Sequence, residues 1–220
     1  MHAMLHEQDF QQGISMTTRP FRSNLPLQGM VLWLVVLWIV TAIDPLFPRD
    51  WLLENLLVFT WSAVLVFSYR HFQFSNRSYF LFTVFLSMHL AGAHYTYAET
   101  PFGFWMQDLL GFERNHYDRL VHFSFGLLLA YPMREILLRK SGINTAWSYF
   151  IAVNCIAAFS AVYEMLEMIA AMLVSPELGA AYLGTQGDEW DAQKDAFLAF
   201  SGAVIAMLAI WGWARRRRRL

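Results

Sequence analysis

Six long runs of apolar residues, separated by short polar or proline-bearing segments, dominate this chain. They cover about Gln28 to Ile43, Trp51 to Tyr69, Tyr79 to Tyr97, Asp118 to Leu138, Trp147 to Val174 and Ala192 to Trp213. Asp44-Pro45 closes the first run and Ser175-Pro176 the fifth. A membrane span needs roughly 20 apolar residues, with about 17 to 25 tolerated. The first run is near the lower limit, and the fifth is long enough to tilt or to extend beyond the bilayer. The pattern predicts an all-α polytopic membrane protein, a bundle of six transmembrane helices. Residues 1–27 form an N-terminal segment, 28–213 the membrane domain and 214–220 a basic tail. The stretch Met1 to Ser15 is polar, with no apolar core behind a basic segment, so it does not read as a signal peptide. It is expected to be disordered at its start, and Met16 offers a second plausible start.

Basic residues give the bundle a direction. With an even number of spans both ends lie on one side. That side holds twelve Lys and Arg residues, the run Arg215 to Arg219 included, and the opposite side holds four: Arg49, Arg114, Arg119 and Lys194. The positive-inside rule then places both termini in the cytoplasm. The arginine run suits a stop signal and an anchor to anionic membrane lipids.

Composition agrees with this picture. The chain is 57% hydrophobic, 17% aromatic and 15% charged, where soluble domains carry about 25% charged residues. A net charge of -1 speaks against a nucleic-acid partner. Cys155 is the only cysteine, so no intrachain disulfide forms; it reads as a packing residue.

The candidate chemistry is what does not fit an apolar solvent: His94, Asp118, His122, Glu164, Glu167, Asp188, Asp191 and Asp195. The predicted orientation puts all of them in the outer half of the bundle, on four spans and their outer loops. Asp118 and His122 are four apart and share a helix face. Glu164 and Glu167 are three apart on the fifth span. Asp188, Asp191 and Asp195 would share a face if the sixth helix began early, and Ala199, Gly202 and Ala206 continue that face as small residues suited to close packing. Glu164 is the deepest acid, roughly 15 Å inside the helix end at 1.5 Å per residue. A carboxylate at that depth needs a partner or a proton.

Three uses compete. Asp118, His122, Glu164, Asp191 and Asp195, with His94, could bind a divalent metal ion. Asp118, His122, Glu164, Glu167, Asp191 and Asp195 could do acid–base or ion-coupling work without one. The acids could instead tie the helices together, neutralised by Arg119 and Lys194. His94 with Tyr95 and Tyr97 reads equally well as an interface anchor. His89, a lone histidine deeper in the third span, reads as a hydrogen bond to a neighbouring helix. Arg134-Glu135 and Arg139-Lys140 read as helix termination and topology.

The motifs His94-Tyr95-Thr96-Tyr97, Asn115 to Phe123 (NHYDRLVHF) and Gly184 to Asp195 (GTQGDEWDAQKD) resemble those of the YjdF family of bacterial inner-membrane proteins. The resemblance covers nearly the whole chain. It implies an integral protein of the inner membrane and carries no reaction with it. A weaker similarity is to the VanZ-like family, through Asp118, His122, Glu164 or Glu167, Asp195 and Gly202 in order; those proteins are linked to the cell envelope. The expectation is a one-sided site facing the periplasm, an enzyme acting on a lipid-linked or other envelope substrate. An ion-coupled small transporter, or a non-catalytic structural or partner-binding protein, is the alternative.

Overall fold

A computed structural model describes residues 19–173, 179 and 182–217. The start of the chain up to residue 18, the fifth-span end at Val174 with Ser175-Pro176, and Arg218 and Arg219 lie outside the described residues. Among the described residues, a short 3₁₀ turn at Phe21–Ser23 leads into seven α-helices: α1 (Leu25–Thr41), α2 (Pro48–Ser68), α3 (Asn76–His94), α4 (Pro101–Leu110), α5 (Tyr117–Lys140), α6 (Thr145–Met172) and α7 (Asp191–Arg217). No strand occurs among the described residues. Helices α2, α5, α6 and α7 are long and apolar enough to cross a membrane; α1 is apolar but shorter.

The six apolar runs each become a helix, with ends displaced by a few residues. Local chemistry sets those ends. Asn24 caps α1, its side chain accepting from Leu27 N at 3.4 Å, with a proline in the first turn. Ser75 caps α3 and Asn144 caps α6 in the same way. These side-chain acceptors satisfy N–H groups that the helix itself leaves unpaired. α7 begins only at Asp191, so Asp188 lies in the preceding turn, not on the helix face with Asp191 and Asp195.

The segment between α3 and α5, which the sequence reads as a loop, contains α4. It starts at Thr100-Pro101 and ends at Gly111, whose φ of 67° is the left-handed geometry that glycine takes without penalty. Phe102, Phe104, Trp105 and Leu109 on α4 are exposed, as on a helix that rests at an interface.

Consecutive long helices alternate in direction. Tyr69 Oη donates to Arg19 O across the start of α1 and the end of α2. His94 and Thr41 join the ends of α3 and α1. α5 and α7 therefore run parallel, and they make the most extensive helix contact. Gly126 faces Ala199 and Gly202 faces Phe123 so closely that a Cβ on either glycine would collide with backbone carbonyl oxygen. Ala199, Ala203 and Ala206 are buried beside them, the small-residue contact expected from the sequence.

The end of the bundle near Lys140 carries its own buried polar group. Glu135, only 4% exposed, accepts from Ser75 N at 2.8 Å, from Ser75 Oγ at 2.9 Å and from Ser78 Oγ. Arg139 donates to Glu135 and to Gln73 O, both at 2.6 Å. Glu135 thus clamps the α3 N-terminus to α5, where the sequence reads only helix termination. Arg134 is buried with its guanidinium 4.0 Å from the Tyr149 ring centre.

Gly126→Ala should destabilise the bundle by about 1–3 kcal/mol, the usual cost of overpacking, because the opposing atoms are backbone. Gly29→Ala, where a Cβ meets nothing within 4 Å, should stay within about 0.5 kcal/mol. Thermal unfolding of both variants in one detergent checks this; equal midpoints would contradict the close α5–α7 approach.

Candidate functional site

The site is built at the end of the bundle where α5 and α7 begin. Asn115, almost fully buried, organises the turn before α5. Its Oδ1 accepts from Tyr117 N at 3.0 Å and its Nδ2 donates to Thr100 O at 3.0 Å. Gly103 leaves room for it, since a Cβ there would overlap the Asn115 side chain. Gln186 grips the Asn115 backbone twice: Asn115 N donates to Oε1 at 3.2 Å, and Nε2 donates to Asn115 O at 2.9 Å. The turn before α7 is thereby stapled to the turn before α5.

Charge reinforces the staple. Arg114 donates to Thr185 O at 2.7 Å and to Asp191 Oδ1 at 2.8 Å. Arg119 bonds Asp188 and reaches Asp191 Oδ1 at 3.1 Å. Lys194 Nζ lies 2.6 and 2.9 Å from the two Asp188 oxygens. Lys194, the Trp190 backbone N–H and Arg119 hold the Asp188 carboxyl well below the usual carboxylate range. His116, packed edge-on against Phe112, is pushed down by burial and by the nearby Arg119 and Arg114, which keeps it neutral.

Below this layer the cations stop. His122, Asp118 and Asp195 bring one ligand atom each to within 4.8 Å of one another. His122 Nε2 lies 3.5 Å from Asp118 Oδ1 and 3.3 Å from Glu164 Oε1. Ser160 Oγ lies 3.4 Å from His122 Nδ1, so Nε2 is the ring nitrogen turned toward the carboxylates. Asp195 is 2% exposed. Asp195 Oδ1 and Glu164 Oε1 are buried with no hydrogen-bond partner. Such orphaned acceptors are rare in folded proteins and ask for an explanation. Among the described residues, Asp118, His122 and Asp195 are those that could hold a metal ion, with Glu164 alongside.

The other sequence candidates sit differently. Asp191 is committed to Arg114 and Arg119. Glu167 is a side-chain neighbour of Glu164. His94 is held away from the cluster, its Nδ1 3.0 Å from Thr41 O at the end of α1. His89 does bond a neighbouring helix, with Nε2 3.1 Å from the backbone oxygen of Glu54. A carbonyl only accepts, so Nε2 carries the proton and Nδ1 accepts from Tyr97 Oη at 2.5 Å. Gly92 makes space for the Tyr97 ring, and Thr96 and Tyr97 hold positive φ of 52° and 51° to place it, a strained geometry for residues with side chains.

Glu54 is the residue the sequence reading missed. It is 4% exposed and accepts from Tyr163 Oη at 2.8 Å. The Tyr163 ring centre lies 6.3 Å from that of His122, so α2 also reaches the cluster. The available signal was an acid inside the second apolar run, the same anomaly that marked Glu164.

The loop staple should respond to acid in one direction only. A depressed carboxyl contributes stability that is fully present above its unfolded pKa of about 3.9 and is lost as pH falls through the lower folded value. Amide exchange across residues 184–190 should therefore be flat between about pH 5 and 8 after correction for intrinsic rates. Asp188→Asn should accelerate it at pH 7, and unchanged protection would remove the staple.

The family described as "Predicted membrane protein (DUF2238)" matches residues 26–218. The chain is 37% identical over 186 residues to the inner membrane protein YjdF of Escherichia coli (strain K12), covering 84% of this chain and 88% of that protein. No solved structure matches the chain. With a relative this similar over most of both lengths, and a family match over nearly the whole bundle, this chain belongs to the DUF2238 family of predicted membrane proteins.

Proposed function

We propose that this protein spans the bacterial inner membrane six times, with both ends in the cytoplasm, and acts as an enzyme on a lipid-linked envelope substrate at the periplasmic face. α1 and α3 join the four long apolar helices as spans. The alternating helix directions support this, as does the twelve-to-four excess of basic residues on the side of the termini.

The observation that carries the reading is the Asp118–His122–Glu164–Asp195 group near one end of the bundle, with His122 and Asp195 buried and Asp118 and Glu164 half-buried. Between it and the Glu135 clamp lie Leu86, Leu90, Leu129, Ile156, Ala199 and Ala203, all buried and apolar. A transporter needs a polar route through that layer; an enzyme with a one-sided site does not. Glu164 Oε1, 3.3 Å from His122 Nε2 and without a hydrogen-bond partner, is the carboxylate placed to take a proton from a hydroxyl or water. Exposed Phe102, Trp105 and Leu109 on α4 suit a lipid surface beside the site.

Protein reconstituted in nanodiscs with a lipid extract of its host should change the abundance of at least one lipid-linked species, read by mass spectrometry. His122→Ala should abolish the change. An extract that stays the same with wild-type protein would sink the enzymatic reading. A reporter fused after Arg217 should score as cytoplasmic, and a periplasmic signal would overturn the orientation.

A further inference from the structure

We propose that Asp118, His122 and Asp195 form a binding site for one divalent cation of the zinc or manganese class. The proposal rests on the placement of these side chains and not on the enzymatic reading.

The first ground is complementarity. His122 Nε2, a carboxylate oxygen of Asp118 and a carboxylate oxygen of Asp195 converge within 4.8 Å. Ligand atoms at about 2.1 Å from a shared ion sit roughly 3 to 3.5 Å from one another. Side-chain adjustments of about 1 Å would close that gap. His122 Nε2 and Asp118 Oδ1 are already 3.5 Å apart.

The second ground is the unpaired acceptor. Asp195 is 2% exposed and its Oδ1 has no hydrogen-bond partner. Glu164 Oε1, also unpartnered, lies 3.3 Å from His122 Nε2. These acceptors face Nε2, whose lone pair is free in the tautomer that keeps its proton on Nδ1 and donates it in a hydrogen bond to Ser160 Oγ at 3.4 Å. An ion bound there would take up the Asp195 oxygen and the nitrogen lone pair together.

The third ground is charge. Two carboxylates and a neutral imidazole match a dication with no net charge, the cheapest way to keep such groups in a low-dielectric interior. The cations nearby are taken: Arg114, Arg119 and Lys194 are bound to Asp188 and Asp191. A mixed nitrogen–oxygen donor set without thiolate suits zinc or manganese. Ser160 then serves as the outer partner that fixes the imidazole. Three protein ligands leave positions for water, with Glu164 beside them, as in metal sites that do chemistry.

The test uses the full chain in detergent, stripped of metal and reloaded with Zn²⁺ or Mn²⁺, with bound metal read by mass spectrometry and by Mn²⁺ paramagnetic resonance. The wild type should hold one ion per chain. Asp195→Asn and His122→Gln should each lower affinity by far more than tenfold, and Ser160→Ala by about tenfold. Glu54→Gln and Asp188→Asn should keep it. Helical circular dichroism and monodispersity show that each variant folds. Wild-type protein that binds neither ion at micromolar free metal overturns the site regardless of how the variants behave, and so does undiminished binding by folded Asp195→Asn and His122→Gln. Metal held by a protein that alters no lipid would sink the enzymatic reading and leave the site standing.

Discussion

The close approach of α5 and α7 is the constraint on which the rest depends. These helices run parallel, start at the same end, and touch backbone to backbone at Gly126 with Ala199 and at Gly202 with Phe123. One turn from that contact, α5 carries His122 and α7 carries Asp195. Without side chains to hold the axes apart, the two residues meet. In a bilayer no hydrophobic drive pulls helices together, since lipid tails are as apolar as leucine. Association rests on packing, which small residues permit, and on polar groups that gain partners. The glycines and the acids are thus two parts of one arrangement: the first permits the distance that the second requires.

Charge is sorted by depth around that contact. At the mouth, Arg114, Arg119 and Lys194 meet Asp188 and Asp191, and the Gln186–Asn115 pair closes the backbone around them. One turn deeper lie His122, Asp195 and Glu164, and Asp118 reaches His122 from the first turn of α5. Were the cluster built only to join helices, an arginine reaching down would be the simplest solution, and two lie just above. Their guanidiniums turn instead to the acids of the mouth. The unneutralised layer is therefore a feature of how side chains are aimed, and it separates Asp191, which the sequence grouped with the site, from Asp195, which belongs to it.

Helices were easier to read from the sequence than contacts were. Apolar runs locate six of the helices, and four of them, α2, α5, α6 and α7, have the length and hydropathy to cross a membrane. Their ends move by a few residues because caps such as Ser75 and Asn144 act outside the apolar run. α4 escaped because ten residues between two runs are too few for a span, and only Pro101 and Gly111, read as start and stop, mark them as a helix. Asp118 with His122 was legible from spacing within one helix. The commitment of Asp191 to arginines and of His94 to Thr41 was not, because it depends on which loop folds over which helix. Glu135 looked like helix-end chemistry by position, and only the packing of α3 against α5 turns it into a clamp.

Glu54 shows why tertiary packing was needed. α2 fully buries only Glu54, Asn55 and Val58, while Leu57, Trp61 and Leu65 pack partly buried against the core. Polar bonds add to that packing. Asn55 Oδ1 accepts from Trp38 Nε1 at 2.7 Å, linking α2 to α1. Glu54 takes the Tyr163 hydroxyl from α6, and its backbone oxygen takes His89 from α3. Each such bond is worth only about 0.6 to 2 kcal/mol within a bilayer, so α2 is the least firmly attached of the long helices. One of its fastenings ends at Tyr163, whose ring neighbours His122. A change in the charge or occupancy of the His122 cluster would therefore be felt first at α2, through Tyr163 and Glu54, while the α5–α7 contact beneath it stays fixed by backbone.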